Sequence, residues 1–93
     1  MHTDEYEISL NRECNHCQSV VNKVRQVLQQ RQQSFGLDYE EVIQARQRGS
    51  VNISDEELAK WQEDLEALPV WEQRLREYRE LLAAMRISTP GVD

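Results

Sequence analysis

The residues with the richest chemical repertoire lie in the stretch ECNHCQSVV, where Cys14 and Cys17 are separated by two residues, one of them His16. A Cys-x-x-Cys pair at a helix start can bind zinc or cycle between dithiol and disulfide, because the positive helix end stabilises thiolate. Zinc takes four ligands. This chain offers Cys14, Cys17, a His16 that points off their face, and His2 on an N-terminal arm. A zinc site therefore requires two chains, each contributing its pair. The redox reading lacks the βαβ context of a thioredoxin-like protein, and Gln18 stands where haem attachment needs histidine. The remaining reading is packing, since free cysteine behaves as a small, commonly buried hydrophobe. Packing stands first, with shared zinc and redox chemistry as alternatives.

Two further sets invite a functional reading. Trp61, Trp71 and Tyr78 recur on one stripe, as core or as anchors for a protein partner. The segment SDEELAKWQEDLE carries Asp55, Glu56, Glu57, Glu63, Asp64 and Glu66. The first three are explained by helix capping and the helix dipole. Glu63, Asp64 and Glu66 fall off the expected apolar stripe with no histidine nearby, and a carboxylate needs a perturbing pocket to become catalytic. They read as a solvated or partner-facing surface that steers a basic protein. No glycine-rich phosphate loop, nucleophile elbow or Ser/His/Asp set is present, so the expectation is a non-enzyme.

The elements that must position these residues are helices. Gly and Pro number 3 and 2 in 93 residues, while Gln, Glu, Arg and Leu abound. YEISL alternates like a short strand, which predicts an extended arm over 1–10 or pairing with a second copy. Asn11 then caps a first helix whose seam runs Cys14, Cys17, Val21, Val24, Leu28 and Phe35, skipping Arg31. Val20 and Val27 widen the seam, and Gly36 ends it. Asp38 and Glu41 form a capping box for a short helix that ends at Gly49; Ser54 and Glu57 form another. The last helix carries Leu58, Trp61, Leu65 and Leu68, then Trp71, Leu75, Tyr78, Leu82 and Met85. The step from Leu68 to Trp71 is a stammer next to Pro69, which predicts a kinked helix or two abutting helices. Residues 88–93 read as a disordered tail. The expected fold is all-α: one helical domain over 11–87 with three to four helices, as a homodimer.

Length and charge bound the function. A chain of 93 residues makes one small domain, and its 22 Leu, Ile, Val and Phe residues make a thin core that often needs a partner chain. Net charge is −6, all of it contributed by residues 38–93, where thirteen acids face seven bases. That argues against direct nucleic-acid binding, which leaves a basic footprint. No apolar run reaches membrane-spanning length, and the acidic N-terminus lacks a signal-peptide core, so a cytoplasmic location is expected.

The succession YEISLNREC, FGLDYEEVIQARQRGSV, SDEELAKWQEDLEAL and WEQRLREYRELL, over about residues 5–85, resembles short prokaryotic helical proteins regarded as antitoxin-like partners of small toxins. Gly36, Glu40, Glu41, Gly49, Asp55, Glu56 and Trp61 match that outline. GSVNIS departs from the acidic turn of the group, and Pro69 from its last helix. The resemblance implies a protein-binding role without catalytic residues.

Overall fold

The computed structural model describes residues 2–87, with side chains described for 5–85. Three helices follow one another: α1 (His2–Phe35), α2 (Tyr39–Gln47) and α3 (Asp55–Ile87). The described residues contain no strand, so the all-α class stands. The expected tail over 88–93 lies outside the described residues. The expected extended arm over 1–10 is corrected: from His2 onward this segment is the opening of α1. The alternation in YEISL is incidental. Leu10 is buried, while Tyr6 and Ile8 are more than half exposed. Leu10 lies four residues before Cys14 and simply lengthens the helical seam. Asn11 is therefore internal to α1 and caps nothing; its Nδ2 donates to the Glu7 carbonyl at 3.0 Å.

Helices α1 and α3 form a long antiparallel hairpin, 66 × 19 × 16 Å with a radius of gyration of 19.4 Å. A compact chain of this length has a radius near 12 Å. The α1 seam reads Leu10, Cys14, Cys17, Val21, Val24, Leu28, Arg31 and Phe35, alternating four and three without a break. The α3 seam differs from the expected one at a single position. Asp64, 8% exposed, takes the place assigned to Leu65, which is 40% exposed. With Asp64 included, the steps Trp61, Asp64, Leu68, Trp71, Leu75, Tyr78, Leu82 and Met85 alternate three and four throughout, and the stammer disappears. Each seam thus contains one charged residue, and the two meet: Arg31 Nη1 lies 2.7 Å from Asp64 Oδ2. The expectation that Asp64 faces outward is corrected by this pair. Arg25–Glu72 at 2.5 Å, and Arg79 donating to Gln18, fix the same antiparallel register along one side. α3 runs unbroken through Pro69, whose exposed ring sits away from the seam. There its missing N–H costs the bond to the Leu65 carbonyl without disturbing the contact with α1.

Helix α2 and its flanking turns close one end of the hairpin. Asp38 and Glu41 form the reciprocal capping box, each bond 2.9 Å. Gly49, at φ +78, lets Ser50 N–H reach the Ala45 carbonyl (2.8 Å) and its own N–H reach Arg46 (3.0 Å), a left-handed turn that a β-carbon would strain. Ser54 Oγ accepts from Glu57 N–H at 3.1 Å and starts α3. Trp61, 2% exposed, is the hub of this end, packed with Val42 and Ile53, stacked on Phe35 and edge-on to Tyr39 (5.7 Å each). A second cluster of Cys17, Val21 and Leu75 fills the middle.

Because Arg31 and Asp64 occupy facing seam positions, removing one strands the other. Asp64→Ala is expected to destabilise the chain by about 2–4 kcal/mol in urea denaturation, whereas Arg31→Leu with Asp64→Leu recovers most of that loss. Equal stability of Asp64→Ala and wild type would contradict the assignment.

Candidate functional site

The cysteines are placed by the seam. Cys17 is 2% exposed within the middle cluster, and Cys14 is half-buried against it. Both are free thiols. Burial, and then the neighbouring Glu13 carboxylate, push the Cys17 thiol above its ordinary value, opposed by Arg74. The long α1 places both cysteines inside the helix, Cys14 about three turns after its start at His2 rather than beside a cap at Asn11. The thiolate-stabilising helix end is therefore absent at Cys14. His16 points out of the seam, edge-on to Trp71 at 5.9 Å. Among the described residues, no group of three or more His, Cys, Asp or Glu is arranged to hold a metal.

The aromatic stripe and the acidic cluster each divide. Trp61 is interior, which corrects its reading as a partner anchor. Trp71 and Tyr78 are half-buried at the middle cluster, and Arg74 lies over the Trp71 ring at 5.1 Å. Among the carboxylates, Asp64 is committed to Arg31, with Lys60 at 3.5 Å. Glu63 and Glu66 are exposed. Glu63 accepts from Lys60 and Glu66 from Gln62, each at 3.2 Å. The Glu63 hydrogen bond, and then the charge of Asp64, raise the Lys60 ammonium above its ordinary value.

What the structure brings together is one flank of the hairpin. Residues beside the seam fall on two sides. On the side marked by Arg25–Glu72 and Gln18–Arg79, α1 presents the polar Asn11, Asn15, Gln18, Asn22, Arg25 and Gln29, while Ile8 and, on α3, Leu65 are exposed there by 57 and 40%. On the other side lie Val20, Val27 and Trp71, half-buried, with Tyr6, Val70 and Leu81 exposed by 56, 52 and 46%. A groove of about 410 Å³ opens on this side, lined by Lys23, Val24, Val27, Arg31, Lys60 and Asp64. Val24 and Val27 give it an apolar wall, and its other lining residues are Lys23, Lys60 and the Arg31–Asp64 pair. Sequence reading named Val20 and Val27 only as a wider seam, placed Tyr6 in an extended arm, and passed over Lys23, Val70 and Leu81. The available signal was the contrast between the valines on one side of the α1 seam and the amides on the other.

No helix among the described residues is long and apolar enough to cross a membrane. Comparison with family models, curated proteins and solved structures gave no significant match.

A thiol whose pKa is raised by folding stays protonated in the folded chain while the unfolded chain ionises. Its stabilising contribution is present below the unfolded value, near 9.0, and is lost as pH rises through the folded value. Chemical denaturation from pH 8 to 10.5 is expected to show a decline in stability that Cys17→Ala reduces. At pH 7.5, thiol labelling should reach Cys14 well before Cys17. Equal labelling rates would place Cys17 outside the core.

Proposed function

We propose that this protein is a non-catalytic docking module that binds another polypeptide by packing helices along the apolar flank of its hairpin, in an antitoxin-like or adaptor role. The observation that carries the reading is the asymmetry of the two flanks. One is mostly polar and bridged by Arg25–Glu72, with Ile8 and Leu65 exposed on it; the other carries the groove and leaves Tyr6, Val70 and Leu81 about half exposed. What distinguishes this flank is that its exposed apolar side chains are continued by half-buried Val20 and Val27 and by the groove. The mechanism is occlusion: partner helices lie along the flank, with Trp71 and Tyr78 beneath as rigid aromatic surface. Glu63 and Glu66 steer a basic partner toward it. Trp61 and Asp64 serve the interior instead. The resemblance to antitoxin-like proteins over residues 5–85 supports the same class of role. The buried Cys17 and the internal placement of the pair favour packing over metal or redox chemistry.

The test is affinity purification of the tagged full chain from its own cells, compared with a Val70→Glu, Leu81→Glu variant and an Asn22→Glu control on the polar flank. Circular dichroism verifies that each is folded. A stoichiometric polypeptide retained by wild type and control, and reduced about tenfold or more by the flank variant, is expected. Identical recovery with all three would contradict flank docking.

A further inference from the structure

We draw no further inference here: the strongest candidate, the groove-bearing flank of the hairpin with Val70 and Leu81 exposed on it, carries charges of both signs along each edge, Glu13 and Lys23 on α1 and Lys60, Glu63 and Arg74 on α3, and nothing in the structure shows what covers it.

Discussion

The ion pair between Arg31 and Asp64 is the constraint from which the hairpin takes its register. Both residues occupy seam positions that apolar side chains fill elsewhere in α1 and α3. A charged residue in such a position is tolerated only where its counter-charge arrives opposite, because an isolated charge in the seam costs several kcal/mol. Sliding α3 by one heptad would set Asp64 at the level of Val24 or beyond the end of α1, and Arg31 at the level of Glu57 or Trp71. Apolar seams alone would accept such slips at little cost, since valine, leucine and cysteine follow one another along both helices. The pair therefore selects one alignment among several of similar apolar burial, as a lone polar core residue does in coiled coils. The Trp61 cluster at the closed end, and Arg25–Glu72 further along, agree with that alignment.

With the register set, everything beside the seam is sorted onto two sides. Amides and an ion pair fall on one side, valines, a tryptophan edge and a groove on the other. The functional proposal follows from this sorting. It does not depend on any reactive group, and the one motif that suggested reactivity is absorbed into packing. The extra turns of α1 ahead of Asn11 have a double effect. They carry Cys14 and Cys17 away from a helix end, and they extend the apolar flank to Tyr6. The same lengthening that takes the cysteines away from the helix end thus extends the flank proposed for docking.

Helix boundaries written in local chemistry were legible in the sequence. The Asp38–Glu41 box, the Ser54 cap and the glycines at 36 and 49 act within a few residues of themselves, and they appear in the structure where the residues call for them. The α1 seam from Cys14 onward was legible for the same reason. The start of α1 was not, because YEISL satisfies a two-residue period and a helical period at once; only the continuation through Leu10 to Cys14 distinguishes them. Asp64 was misplaced because a carboxylate next to a leucine, in a seam of otherwise apolar residues, yields the buried position to leucine on hydropathy alone. Its partner Arg31, skipped in the α1 seam for the same reason, is 33 residues away, and the two omissions explain each other only in three dimensions. Trp61 and Trp71 share a stripe, yet one is the hub of the closed end and the other reaches the flank edge. That difference is set by α2, which covers only the first.

Small-angle X-ray scattering of the full chain in solution tests the long hairpin most directly. An elongated particle with a maximum dimension close to 66 Å is the predicted result. A rounded particle with a radius of gyration of about 12 Å, or one much longer than a single hairpin, would contradict it.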